Sequence, residues 1–157
     1  MSSADFGALK HPFVLRALEP SDYRKGYLKL LEQLTKVGEI SEEEFTARVE
    51  ETRHLGDLHH AVVIEDVERL AIVASATLLV ELKFIRKCGK AGHIEDVVVD
   101  STVRGQHLGQ RIVDHLTELA KQLGCYKVIL DCTEANVPFY EKCGFGLKER
   151  QMARYFS

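Results

Sequence analysis

The sequence predicts an α/β fold, with a mixed and mostly antiparallel central sheet flanked by helices. Two stretches carry that expectation. From His93 to Leu116, a β-branched run (Ile94, Val97, Val98, Val99) leads through a glycine-bearing loop into a helix-period segment. Strands on either side of such a helix run parallel, because a right-handed crossover joins them. Upstream, two apolar β-branched runs at 59–65 and 70–82 flank the four residues DVER, which suits an antiparallel hairpin. At 157 residues and 45% hydrophobic content the chain supports one globular core and is short for two ordinary domains. Residues 1–157 therefore read as one domain with a flexible start over 1–11.

The elements follow in order. PFVLRALE (12–19) is a first strand. Ser21 opens a helix in which Tyr23, Tyr27, Leu28, Leu30, Leu31 and Leu34 recur at helical spacing up to Gly38. Ser41 and Glu44 form a capping box for a second helix ending near Gly56. After the hairpin, a polar connection (83–92) leads into a strand at 93–100. A helix over about 106–123 presents Leu108, Ile112, Val113, Leu116, Leu119, Ala120 and Leu123 on one side, and Gly124 closes it. CYKVILDC (125–132) is an apolar strand. A short helix (134–144) carries Pro138 in its first turns, where a missing N–H costs little. FGLKERQMARYF (145–156) reads as a terminal strand or strand pair. The order is βααββ-βαβαβ.

Composition excludes several classes. A formal net charge of −3 gives no reason to expect nucleic acid or an anionic membrane as partner. No apolar run is long enough to span a bilayer, and the start lacks a basic, then apolar, signal pattern. A soluble, cytoplasmic protein is expected. Cys88, Cys125, Cys132 and Cys143 match no zinc spacing and read as buried free thiols, with Cys143 three residues past Tyr140 as a possible exception. No metal is expected.

The strand, glycine loop and helix start of 93–116 suit a phosphate-bearing ligand. The first amides of a helix lack partners within it, and its dipole leaves that end partly positive. RGQHLG (104–109) is neither a P-loop, since no Gly-Lys-Ser/Thr follows, nor a GxGxxG dinucleotide loop. It fits Arg/Gln-x-x-Gly-x-Gly/Ala at Arg104 and Gly109, with His107 in place of the first glycine. Together with GHIEDVVVD (92–100), GCYKVILDC (124–132) and N-x-x-FYEKCGF (136–145), the sequence resembles the GNAT superfamily of N-acetyltransferases. Within it, the similarity is to the branch acting on an amino-sugar phosphate. That similarity is dense over 92–146 and extends to LTKVG (34–38) and QMARYF (151–156).

The resemblance implies a GNAT fold and transfer of an acetyl group from acetyl-CoA to the 2-amino group of glucosamine 6-phosphate, a step toward UDP-N-acetylglucosamine. It implies that the main chain of Val97, Val98 and Val99 pairs with the pantetheine arm, with Asn136 nearby. Arg104 and the amides of Gly105, Gln106, His107, Leu108, Gly109 and Gln110 would cradle the pyrophosphate; a side chain at 107 is tolerable if its φ stays negative. Tyr140 would protonate the leaving thiolate and Asp131 contact the sugar amine. Thr35, Lys83, Phe84, Ile85, Arg86, Val97 and Arg154 would bind the sugar phosphate. Glu95 and Asp96, as neighbours on a strand, should point to opposite faces, so only one reaches substrate by its side chain. The resemblance also implies a homodimer with shared active sites, Arg154 acting across the interface. Three other readings fit a chain of this kind: acetylation of a different amine, a CoA-binding regulatory module without catalysis, or a purely structural interaction domain.

Overall fold

The computed structural model describes residues 9–156. Five strands form one sheet in the order β1 (Phe13–Ala17), β2 (His59–Asp66), β3 (Ala71–Leu82), β4 (Lys90–Val99) and β5 (Cys125–Ile129). The first four pair antiparallel and β4–β5 pair parallel. Helices α1 (Tyr27–Leu31) and α2 (Glu42–Arg53) cover one face, while α3 (Leu108–Gln122) and α4 (Val137–Lys142) cover the other. Alternation divides the sheet between them. Val62, Ile64, Ala76, Leu78 and Val80 pack under α3, and Val63 and Ile72 pack under α1 and α2. Ile112, Val113, Leu116 and Ala120 of α3 are fully buried, and each large aliphatic among them stabilises by about 2 kcal/mol. Ser41 caps α2 as expected, its hydroxyl accepting from Glu44 N at 3.1 Å while its own N–H donates to the Glu44 carboxylate at 2.8 Å.

A buried ion cluster ties the edge of the sheet to the first turn. Arg16 donates to both Asp22 oxygens (2.9 and 2.7 Å) and to Glu65 (2.7 Å), and Lys25 pairs with Glu65 at 2.8 Å. Asp22 is fully buried.

Several expectations need correction. The first helix is not continuous to Gly38: Pro20–Lys25 is a 3-10 turn, Gly26 breaks it at φ +79, and α1 ends at Leu31. The capture of Asp22 by Arg16 holds that turn tight, so the apolar period straddles two short pieces. β4 begins at Lys90, because the connection before it is a compact turn. Among the described residues 145–156 form no strand; Gly144 (φ +88) ends α4 and the following segment has no ladder partner. A strand needs a neighbour along its whole backbone, and one chain offers this segment none. The cysteines are free but not buried: Cys88 and Cys132 are exposed, Cys125 and Cys143 half-buried. Of the expected flexible start, residues 1–8 lie outside the described residues, and Leu9 packs against the core.

Candidate active site

The site begins where two strands part. The β4–β5 ladder runs from Lys90↔Cys125 to His93↔Ile129 and stops, while β4 continues to Val99. Main-chain groups of Ile94 to Val99 on that side therefore border a gap instead of a partner strand. A bulge opposite Ser75 and Thr77 inserts one extra residue, Asp96, whose φ is +53. Past it, Val97 and Val99 pack toward α3 and Val98 toward α1 and α2. The bulge breaks the strict alternation on which opposite faces for Glu95 and Asp96 were expected. The Asp96 carboxylate bears on Glu95 and also on Tyr27 of α1.

Just past β5, Leu130 packs into the α3 core, and the charge of the next residue, Asp131, acts on Glu95. Glu95 thus feels two further carboxylates, Asp96 and Asp131. Burial, then the charges of Asp131 and Asp96, push the Glu95 pKa up, and His93 partly offsets this. The arrangement suits a cationic partner.

At the far end of β4, Asp100, Ser101 and Gln33 lock together: Gln33 Nε2 donates to Asp100 at 3.1 Å and Ser101 N donates to Gln33 Oε1 at 3.0 Å. These bonds fasten the exposed turn holding Thr35 against the strand end. Sequence reading did not single out Gln33; an isolated glutamine on a helix carries no signal until the strand end is placed beside it.

The turn into α3 has Gly105 at φ +87 and His107 at φ +60 as the N-terminal flanking residue. The condition set for a side chain at 107, a negative φ, is thus not met; the helix entry places a left-handed residue there, the conformation that favours glycine. The first intrahelical bond is Arg111 N to His107 O, so the amides of Leu108, Gly109 and Gln110 have no acceptor within the helix. Leu108 is buried and offers main chain only. A Cβ at Gly109 would lie 3.2 Å from Phe139 and 3.3 Å from Val99, so glycine is what lets α3 approach the strand. Arg104 Nε donates to Val99 O at 3.3 Å. The splayed strand, free amides and missing side chains fit a pantetheine and pyrophosphate.

Tyr140 lies on the α3 side, buried among Phe139 (4.8 Å between centroids) and Phe145 (6.2 Å). Burial, helped by the Cys132 and Cys143 thiols, pushes its pKa up to about 12. The phenol is therefore protonated at neutral pH and can donate. Burial likewise pushes the Cys143 thiol up, which opposes reactivity. Asn136 is exposed at the start of α4.

Lys83, Phe84, Ile85 and Arg86 form the β3–β4 turn, where Arg86, Lys87 and Cys88 all have φ near +56. Three consecutive left-handed residues are costly, about 1 kcal/mol each. Lys83 pairs with Glu81 at 3.0 Å, Glu81 with His93 Nε2 at 2.9 Å, and the Arg86 guanidinium lies 5.4 Å from the Tyr126 ring centre. Phe84 is 94% exposed. Arg154 is not brought to this group: it lies over its own Phe156, 5.9 Å from the ring centre, on the exposed terminal segment.

Comparisons with known proteins agree with this geometry. The sequence matches the acetyltransferase (GNAT) family over residues 24–145. It is 53% identical to a glucosamine 6-phosphate N-acetyltransferase of Arabidopsis thaliana, over 92% of this chain and 97% of the relative. The enzyme of that name from Candida albicans is 44% identical over 87% of this chain and 91% of its own length. The crystal structure of glucosamine-6-phosphate N-acetyltransferase from Arabidopsis thaliana superposes with a TM-score of 0.91, at 52% identity over 92% of this chain and 99% of that one. An aminoglycoside acetyltransferase at 14% identity (TM-score 0.72) shares the fold alone. The chain belongs to the GNAT family of acetyltransferases.

Proposed function

We propose that this chain transfers the acetyl group of acetyl-CoA to the 2-amino group of glucosamine 6-phosphate, releasing CoA, by direct attack with both substrates bound. The observation that carries the reading is the gap beside Ile94–Val99, with the carboxylates of Asp96 and Asp131 acting on Glu95 and a protonated tyrosine on the α3 side. The similarity to glucosamine 6-phosphate N-acetyltransferases over most of the chain supports the choice of amine.

Acetyl-CoA, when bound, supplies the activated thioester. The main chain of Val97 to Val99 aligns the pantetheine arm, with Asn136 beside it, and a free β4 amide polarises the thioester carbonyl. Arg104 and the amides from Gly105 to Gln110 hold the pyrophosphate. Asp131, with Glu95 and Asp96, orients the sugar amine and takes its proton. Tyr140 donates its hydroxyl proton to the departing sulfur. Lys83 and Arg86, with Thr35 and the turn residues Phe84 and Ile85, bind the sugar phosphate.

The active unit is a homodimer of single-domain chains in the cytoplasm, serving the route to UDP-N-acetylglucosamine. The dimer reading rests on the terminal segment, where Met152, Tyr155 and Phe156 are 95%, 94% and 86% exposed beside Arg154. Such an apolar segment needs a partner surface, and a second copy would bring Arg154 to the sugar phosphate. Sedimentation should give twice the monomer mass, and a monomer at micromolar concentration would contradict it. Acetyl transfer is tested by thiol release on mixing acetyl-CoA with glucosamine 6-phosphate. Turnover is expected; a folded, CoA-binding sample with none would overturn the reading.

A further inference from the structure

Glu81 and His93 stand outside the roles assigned above, and they continue the carboxylate group toward solvent. β3 and β4 pair Leu79 with His93, so Glu81 lies one diagonal step away on the same face, as does Glu95 two residues along β4. His93 Nε2 and Glu81 Oε1 are 2.9 Å apart, and Lys83 holds the other Glu81 oxygen at 3.0 Å. With Glu81 an acceptor, that bond places the neutral imidazole's proton on Nε2 and leaves its lone pair on Nδ1. We propose that the Glu81–His93 pair relays the proton of the substrate amine from the Glu95–Asp131 carboxylates to bulk water. The inference rests on the acetyltransferase reading.

The balance is simple. The amine binds as an ammonium, so its nitrogen releases two protons to the carboxylates, one to free the lone pair before attack and one as the nitrogen bonds to the acetyl carbon and the carbon–sulfur bond breaks. Tyr140 gives one to sulfur, and each turnover leaves one proton for solvent. The carboxylates must shed their protons before the next turnover. His93 Nδ1 takes each in turn, Glu81 stabilises the imidazolium, and the half-exposed imidazole returns the proton to water, from which the Tyr140 phenolate is restored. The charged groups around His93 on the neighbouring strands are Glu81 of β3 with its partner Lys83 just past the strand end, Glu95 and Asp96 of β4, Lys127 of β5, and Asp131 beyond the end of β5. Only Lys83 and Lys127 oppose the imidazolium, and Lys83 is already paired with Glu81. Burial and like charge make Glu95 the natural holder of the proton, and the charge on His93 is the group that favours its release. Glu81 and His93 are thus positioning residues acting through the carboxylates.

The test is kcat against pH for His93→Gln and Glu81→Gln, with thermal midpoints recorded for both. His93→Gln should lose about ten-fold in kcat, with both KM values within about two-fold, and added imidazole should restore part of the loss. Glu81→Gln should move the acidic limb of the profile to lower pH, because the imidazolium loses its carboxylate partner; it carries the same test if His93→Gln unfolds. Wild-type kcat and profile in both variants would overturn the relay, as would a loss that imidazole leaves untouched. A wild-type protein that turns nothing over would fail the acetyltransferase reading itself, and the relay with it.

Discussion

Glu65, nearly buried, and Glu95, half-buried, are both carboxylates on the same sheet, and their surroundings treat them in opposite ways. For Glu65, burial alone pushes the pKa up, but hydrogen bonds from Lys25 and Arg16 outweigh it and hold the group below the ordinary carboxylate range. Nothing compensates Glu95: burial, Asp131 and Asp96 act together, against only the opposing influence of His93. The chain completes one cluster from its own cations and leaves the other short of positive charge. The first arrangement serves folding, and the second favours a cationic partner.

The largest effect expected from breaking this contrast is at Arg16. Arg16→Ala strands fully buried Asp22 and nearly buried Glu65 without their shared partner, at a cost of about 3–5 kcal/mol. Thermal unfolding should show a drop in Tm of about 10 °C, while a folded sample still binds CoA. The pH dependence has a definite sign. A carboxylate whose folded pKa is depressed contributes stability above its unfolded value and loses it as pH falls through the folded value. Acid unfolding of the wild type should therefore set in as pH drops below the ordinary carboxylate range, and Lys25→Met should shift its onset to higher pH.

Tyr140→Phe removes a donor that burial keeps protonated. A fall in kcat of about 10²-fold is expected, with CoA affinity within about two-fold by calorimetry; unchanged kcat would remove Tyr140 from the mechanism. Smaller again is His107→Gly. Its φ of +60 suits glycine, so the variant should gain about 0.5–1 kcal/mol, read as a higher denaturant midpoint, with CoA affinity retained.

The smallest effect sharpens the comparison most. Because the folded pKa of Glu95 is raised, its ionised form costs stability as pH rises through that value. Glu95→Gln should therefore raise Tm by about 1–2 °C at neutral pH, a modest figure because solvent screens the half-exposed group. The gain should vanish in acid, where the wild-type carboxyl is protonated. Activity should fall in the same variant.

The fold was largely legible because its signals are local. The capping box at Ser41 and Glu44, the DVER hairpin, the α3 apolar stripe and the parallel crossover all lie within a few turns of chain. What the sequence concealed depends on distant groups. Gly26 breaks a helix whose apolar period reads as continuous, because Arg16 captures Asp22 from β1. Asp96 sits in a bulge that only the register against β3 exposes, so strict alternation does not carry across it. The terminal segment has strand-like residues and no partner within its own chain. For the candidate site, Tyr140, Asp131 and the amides of 105–110 were proposed from motifs, while Gln33, Glu81 and His93 needed neighbouring strands before they had any context.

The central claim is that the uncompensated carboxylates select a cationic amine. The direct measurement is calorimetric affinity, with CoA present, for glucosamine 6-phosphate against glucose 6-phosphate, which replaces the amine by a hydroxyl. The account predicts about ten-fold tighter binding of the amino sugar, a difference of about 1.4 kcal/mol, lost when Glu95 and Asp131 are both made neutral. Equal affinity of the wild type for the two sugars would contradict it.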